Sequence, residues 1–412
     1  EKVEDVQESP PQSLSIPSKI KQSAVFLTRD FLSKIANKQY LLINLLEAPI
    51  LAIILAFIIR YRSSPDGQEY VFRFNENIPA FMLMSIIVAL FMGLTVSAEE
   101  IIRDRKILKR ESFLNLSWNS YLVSKLSLLF FLSAIQTLTF VVVGNLILEI
   151  HGMTLAFWLV LFTTSCFANV LGLNISSAFK SAVTVYIMIP LVLIPQMILS
   201  GLLFSFDRLN DVISTQGKVP VVADLMASRW AYEAMAVYQF KNNNYEYLYY
   251  DLEMEEAESD FKAAYIQPHL KEKVQWLKEN GDSDSLSSER SDYLKVLHYS
   301  LQKEEFNEGI PENLLVNIPQ SLTSEELNAL DAYLDNYQKH YRTVFNDAVA
   351  EKEKKAYFYE NNYEDYDLNL YKNAYFNESL ADLVTNATET DRLLEYNGEL
   401  IQQVNAVFHE PE

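Results

Sequence analysis

Between Ala182 and Leu203 the chain reads AVTVYIMIPLVLIPQMILSGLL, 22 residues without a charge. That is enough to cross a hydrocarbon layer roughly 30 Å thick. Pro190 and Pro195 lie inside it. A helix in water tolerates interior proline poorly, because an N–H is lost and a carbonyl is left unpaired. In a membrane, neighbouring helices and local backbone adjustment satisfy such carbonyls. The stretch therefore predicts a membrane span, and the chain changes solvent where it ends.

The charge balance confirms the division. Over the whole chain the net charge is −20, which suits an ordinary acidic soluble protein. Residues 1–203, however, carry 16 Lys and Arg against 14 Asp and Glu, whereas residues 204–412 carry 18 against 40. The first part reads as a membrane domain, and the second, at −22, as a solvated acidic domain with no electrostatic affinity for nucleic acid. The only cysteine, Cys166, stands in an apolar run, so no disulfide forms within the chain and the redox compartment is left open. The start at Glu1, without an initiator Met or a signal-peptide pattern, gives the expectation of a piece of a longer polypeptide.

In chain order, residues 1–17 are polar and proline-containing and read as linker. Residues 18–40 carry apolar Ile20, Ala24, Leu27, Phe31 and Ile35 at helical spacing, an amphipathic helix expected to lie along a membrane surface. Five spans follow within residues 41–203: Leu41–Ile59, Ile78–Ser97, Leu122–Leu148, Thr154–Leu173 and Ala182–Leu203. Eleven cations fall in the segments assigned inside and three, Arg60, Arg62 and Arg73, in those assigned outside. That bias predicts a cytoplasmic N-terminus, and five spans then place residues 204–412 outside the cytoplasm, in a plasma (inner) membrane protein. Residues 204–244 read as membrane-proximal or re-entrant, and residues 245–412 as a helical extracytoplasmic domain. Within that domain Thr323-Ser-Glu-Glu326 fits a capping box, followed by Leu327, Leu330, Leu334 and Tyr337 on one face. No strand alternation is evident. The predicted fold class is all-α: a polytopic membrane helix bundle with a helical extracytoplasmic domain.

Signs of catalysis are missing from the sequence. No P-loop, Gly-rich phosphate turn or G-x-S-x-G occurs, and the five histidines show no metal-ligand spacing. The chain is not expected to be an enzyme, nor to hold a metal or cofactor of its own. Tyrosines cluster at 245–250 and 357–375, more in keeping with helix packing than with sugar stacking. The acidic run Glu253–Asp260 reads as a solvated face rather than a calcium site. Inside the membrane, Glu47 is costly unless partnered, which leaves a functional role and an interfacial ion pair as equal readings. Gln136, Asn145 and Asn169 are expected to make interhelical hydrogen bonds.

The helix at residues 18–40, the charged stretch running into SFLNLSWNSYLVSKL, and then VLGLNISSAFKS, PLVLIPQMILSGLLFSFDRL and SRWAYEAMAVYQF, in that order, together resemble the membrane half of an ABC exporter of the G subfamily, the white-pigment and pleiotropic-drug-resistance type. The helix before the first span is similar to that family's connecting helix. The charged end of the second span, running into SFLNLSWNSYLVSKL, is similar to its charged loop and coupling helix. VLGLNISSAFKS, PLVLIPQMILSGLLFSFDRL and SRWAYEAMAVYQF resemble the link to the fifth span, that span with its exit, and the re-entrant segment. The resemblance implies coupling to a nucleotide-binding domain through Glu99, Asp104, Arg110, Glu111 and Trp118. It implies a substrate cavity lined by Ser85, Ala89 and Met92 of the second span and Pro190, Ile194 and Met197 of the fifth. Leu202 and Leu203 match the leucine pair that closes the cavity toward the exit. It further implies a dimer of half-transporters in the lipid bilayer, a nucleotide-binding domain upstream that carries ATP and magnesium, and a sixth span beyond Glu412. The function to expect is the permease of an ATP-driven exporter that moves an apolar or amphipathic substrate by alternating access. The rival reading is a membrane-anchored receptor or assembly factor whose acidic ectodomain binds a partner without transport.

Overall fold

The computed structural model describes residues 17–111, 117–206, 209–210, 212–213, 219–280, 287–304, 306, 309–363, 366–387, 391–396 and 398–403. Its first helices are α1 (Lys19–Ala36), α2 (Lys38–Ile59), α3 (Ile78–Ala98), α4 (Glu100–Glu111), α5 (Trp118–Leu148), α6 (Thr154–Ala178) and α7 (Ala182–Ile198). Four of the apolar helices are long enough to cross a membrane. Helix α7 is apolar but has only 17 residues, about 25 Å of axial rise. It falls short of the expected 22-residue span for a local reason. The Leu199 N–H closes on the Pro195 carbonyl, and Gly201 then takes φ +87°, a conformation that favours glycine and ends the helix. The expected surface helix is likewise interrupted, at Asn37 between α1 and α2.

The chain divides into two compact units. One comprises residues 1–59, 80–148 and 154–235, and the other residues 60–79, 149–153 and 236–412. In the first, size sorting runs opposite to that of a water-soluble protein. Helix α2 buries Asn44, Ala48, Ala52 and Ala56 while Leu46, Ile50, Ile53, Phe57 and Ile58 face out. Lipid is as apolar as leucine, so helices in it gain by close contact of small residues and leave the large ones outside. The three polar residues singled out in the spans do bridge helices. Gln136 donates to the Asn44 carbonyl at 2.9 Å, Asn169 to the Ser133 hydroxyl at 2.7 Å, and Asn145 to the Thr154 hydroxyl at 3.3 Å. Where α3 meets α6, a Cβ built on Gly172 would stand 2.0 Å from Ser97 Oγ, and one on Gly93 2.6 Å from the Ser165 carbonyl.

The second unit holds the remaining elements: short α8 (Val221–Asp224) precedes it and α9 (Ala227–Asn242) leads into it. There follow α10 (Glu246–Phe261), a π-helical turn at Lys262–Ile266, α11 (Gln267–Asn280), α12 (Ser287–Gln302), α13 (Glu312–Val316), α14 (Ser324–Asn362), α15 (Leu368–Tyr375) and α16 (Glu378–Val384). The capping box is present: Glu326 N–H donates to the Thr323 hydroxyl and Thr323 N–H to the Glu326 carboxylate. Leu327, Leu330, Leu334 and Tyr337 are buried against Leu270, Leu297 and Leu314. One departure from an all-helical domain is a hairpin, β1 (Leu393–Tyr396) with β2 (Glu399–Gln402), in register Tyr396 to Glu399. Four-residue strands are too short to show alternation, yet Asn397-Gly398 is a hairpin-turn signal in the sequence.

Residues 60–79 are held in this unit chiefly by the Asn377 side chain. Asn377, only 3% exposed, donates to the carbonyls of Phe72 (2.8 Å) and Asn75 (3.0 Å), and its Oδ1 accepts the Leu380 N–H that opens α16. Arg73 adds an ion pair to Glu378. Replacing Asn377 with alanine takes the side-chain donor from two carbonyls that keep only the Asn75 and Ile78 N–H groups (3.2 and 3.5 Å), and it removes the cap from the Leu380 N–H. The expected cost is about 2–4 kcal/mol. Hydrogen exchange should show residues 72–78 losing protection while the core of α11, α12 and α14 keeps it.

A candidate transmission site built on buried charges

Helix α4 carries the sequence EIIRDRKILKRE directly after the apolar α3. Its polar side must find partners or water, and its first residue finds three cations. Glu100, 2% exposed, accepts from Lys34 of α1 at 2.5 Å, from Lys125 of α5 at 2.8 Å and from Arg103 at 3.1 Å. Lys125 is equally buried and also contacts Asp30 of α1 and Asp104 of α4, each at 2.8 Å. The Tyr121 hydroxyl donates to Asp104 at 3.1 Å, and Lys34 donates to the Tyr40 hydroxyl at 3.0 Å. Three carboxylates thus meet three cations, so the cluster is neutral as a whole. It is also stiff, because Lys125 is shared among three acids from two different helices.

Backbone contacts lock the same helices. The Ser120 hydroxyl donates to the Lys19 carbonyl, and Gln22 accepts the Ser117 N–H, which ties α1 to the start of α5. The Ser176 hydroxyl near the end of α6 accepts the N–H groups of Ile101 and Ile102, and Arg105 donates to the carbonyls of Ser177 and Phe179. A push on α4 therefore reaches α1, α5 and α6 through short polar contacts. Beyond the cluster, Arg103, Lys106, Lys109 and Arg110 form an exposed basic side.

With this arrangement in view, the family comparison decides what it is part of. A family model described as ABC-2 type transporter matches residues 21–240. The chain belongs to the ABC-2 type transporter family. Membership makes it the permease part of an ABC transporter, embedded in the bilayer and partnered by an ABC nucleotide-binding domain. No curated protein matches the chain.

In this ABC-2 permease the residues singled out for coupling are found in different settings. Asp104 sits in the ion cluster. Glu99 accepts a hydrogen bond from Tyr186 of α7. Arg110 is exposed, and Trp118 is 61% exposed, edge-on to Tyr121 at 5.9 Å. The side chain of Glu111 lies outside the described residues. Sequence reasoning missed Asp30, Lys34, Glu100, Tyr121 and Lys125. Lys34 lies off the apolar face of α1 and is nonetheless buried, because it has a carboxylate to meet there. The usable signal was Tyr121 and Lys125 one turn apart at the head of an apolar helix, a buried lysine in need of an acid.

The expected cavity residues do not share one surface. Ser85, Ala89 and Met92 are each about 1% exposed within the bundle, whereas Pro190 and Ile194 face out and Met197 is half-buried. The exposed stripe of α3 is the adjacent one, with Met84 and Phe91. Leu202 and Leu203 follow α7 in a bend, Leu203 being half exposed. Glu47 is half-buried on α2 and meets no cation among the described residues.

Proposed function

We propose that this ABC-2 permease belongs to the G subfamily and is the membrane half of a dimeric, ATP-driven exporter of an apolar or amphipathic substrate. ATP is hydrolysed on the associated nucleotide-binding domain, and this chain supplies no catalytic group. The observation that carries the reading is the neutral, buried ion cluster that joins α1, α4 and α5 behind the exposed basic side of α4. Motion delivered to Arg110 and its neighbours passes to the bundle as a rigid displacement, because the ion pairs cannot separate in a dry interior without a large desolvation cost. In the dimer, the exposed faces of α3 (Met84, Phe91) and α7 (Pro190, Ile194) are the surfaces open to cargo or to the second copy.

Connectivity supports the sidedness. Residues 60–79, 149–153 and 236 onward fold into one unit, so the chain must cross an even number of times between them. Helices α3 and α5 supply one pair of crossings, and α6 and α7 the other. With the cationic bias inward, that unit lies outside the cytoplasm and the N-terminus inside.

The test uses the natural full-length polypeptide reconstituted with its nucleotide-binding domain in vesicles. Replacing Lys106 and Arg110 with alanine should lower the ATPase rate at least fivefold while nucleotide binding and membrane insertion persist. An ATPase rate unchanged by these substitutions would remove α4 as the point of entry. Failure of any ATPase to associate with the chain would leave the receptor reading in its place.

A further inference from the structure

A cavity of about 360 Å³ lies in the acidic unit, between α10 and α14 and the segment around α16. Its wall includes Glu246, Glu253, Glu256 and Asp260, all from α10, with Lys352 of α14. Phe345 and Phe376 supply much of the apolar lining. The decisive group is Glu246. It is 1% exposed, and its Oε1 has no hydrogen-bond partner. Its backbone is pinned by the Asn243 side chain, which accepts the Glu246 N–H at 2.9 Å. An unpartnered carboxyl oxygen fixed at a cavity wall is costly unless something enters to meet it.

The neighbouring charges do not meet it. Lys352 is engaged by Glu256 and stands 4.0 Å from Glu253. Lys372 of α15 lies over the rings of Tyr245 and Phe376, at 5.1 and 4.8 Å. The Tyr245 hydroxyl donates to Glu253 at 3.3 Å. Glu253 shares a side-chain hydrogen bond with the Glu246 carboxyl, whose Oε1 stays unmet, and burial together with that like charge pushes Glu246 up to about 8, against the opposing pull of Lys372 and Lys352. The empty pair therefore retains a proton at neutral pH.

We propose that this cavity binds a small organic ammonium ion, with its charged head between Glu246 and Glu253 and its apolar part against Phe345 and Phe376. A bare metal ion does not fit: among the described residues no three acidic, His or Cys side chains converge closely enough to hold one. An anion meets a net negative wall, and a neutral ligand leaves Glu246 as it is. An ammonium supplies a donor to Glu246 Oε1, which lacks one, and further donors to Glu253 beside it, and aromatic faces suit its charge and its carbon skeleton. On binding, the shared proton leaves to solvent, so one positive charge replaces another.

The inference goes beyond the transport reading and is tested apart from ATPase activity. The natural full-length polypeptide in nanodiscs is titrated by calorimetry with phenethylammonium chloride, with phenethyl alcohol and calcium chloride as controls. One phenethylammonium should bind per chain. Its affinity should rise up to tenfold per pH unit between 6 and 8 and level off above, because the ion binds the deprotonated pair. The binding heat should vary with buffer ionisation enthalpy, reporting the released proton. Glu246→Gln should weaken binding at least tenfold, and Ala381→Trp, which fills the cavity without touching its charge, should do the same. Unaltered melting of each variant shows that it is folded. Equal binding of phenethyl alcohol, displacement by calcium, pH-independent affinity, or full affinity in both folded variants would each overturn the proposal.

Discussion

Lys125→Met should destabilise the membrane-embedded unit by about 3–5 kcal/mol, the range found when one partner is removed from a buried ion network. Methionine keeps most of the length and volume of lysine, so the loss is one of charge rather than packing. Glu100, Asp30 and Asp104 would be left with only Lys34 and Arg103 as neighbouring cations, and Asp104 would retain Tyr121 as a neutral donor. The measurement is resistance to denaturant of the purified protein in a mild detergent, read by fluorescence of the tryptophans. Adding Glu100→Gln removes one negative charge and should return at least half of the lost stability. A double variant no better than the single one would mean that Lys125 acts by shape alone. Because the same residues join α1, α4 and α5, the single variant should also weaken the link between ATP hydrolysis and the bundle at temperatures where it remains folded.

The second large effect is expected at the contact of α3 with α6. Alanine at Gly172 would place its Cβ 2.0 Å from Ser97 Oγ, with Ser97 Cβ and the Leu94 carbonyl both at 3.1 Å. Rotating the Ser97 hydroxyl away would break its bond to the Gly93 carbonyl and still leave Ser97 Cβ and the Leu94 carbonyl at 3.1 Å, so the helices must separate. Separation forfeits dispersion along the seam, which is the main force available between helices in lipid. Gly172→Ala should therefore cost about 2–4 kcal/mol and reduce the yield of folded protein in membranes. Ser97→Ala in the same chain removes the closest atom and should restore most of it, at the loss of the hydroxyl's own bond to the Gly93 carbonyl (2.7 Å). If the pair folds no better than Gly172→Ala, the interface is not set by this contact.

Much of the architecture was legible because lipid imposes it. Long apolar runs announced α2, α3, α5 and α6, and the Thr323–Glu326 pattern announced α14 and its buried face. These are local rules, and each is written in consecutive residues. The ion cluster was not legible in the same way. Lys34 and Lys125 are 91 positions apart in sequence, and only the packing of α1 on α5 brings both to Glu100. A lysine on an amphipathic helix looks the same in sequence whether it faces water or a buried acid. On α3 the stripe of Ser85, Ala89 and Met92 is buried and the adjacent one with Met84 and Phe91 is exposed, since spacing fixes which residues share a face but not where that face points. The orphan carboxyl of Glu246 was hidden for the opposite reason: it begins an acidic helix whose other acids are largely solvated.

The clasp formed by Asn377 also has a meaning in time. Arg73 and its partner Glu378 are 305 residues apart, and chains grow at roughly 5–20 residues per second. The loop that carries the Phe72 and Asn75 carbonyls is thus made roughly 15 to 60 seconds before the side chain that ties it to α16. Through that interval α3, α5, α6 and α7 must be synthesised while the loop stays hydrated and open. A ribosome that stalls before residue 377 leaves the loop without its lock, whatever the state of the helices on either side. Closure of this unit therefore waits on residues 373–379, long after the loop that they hold has been made.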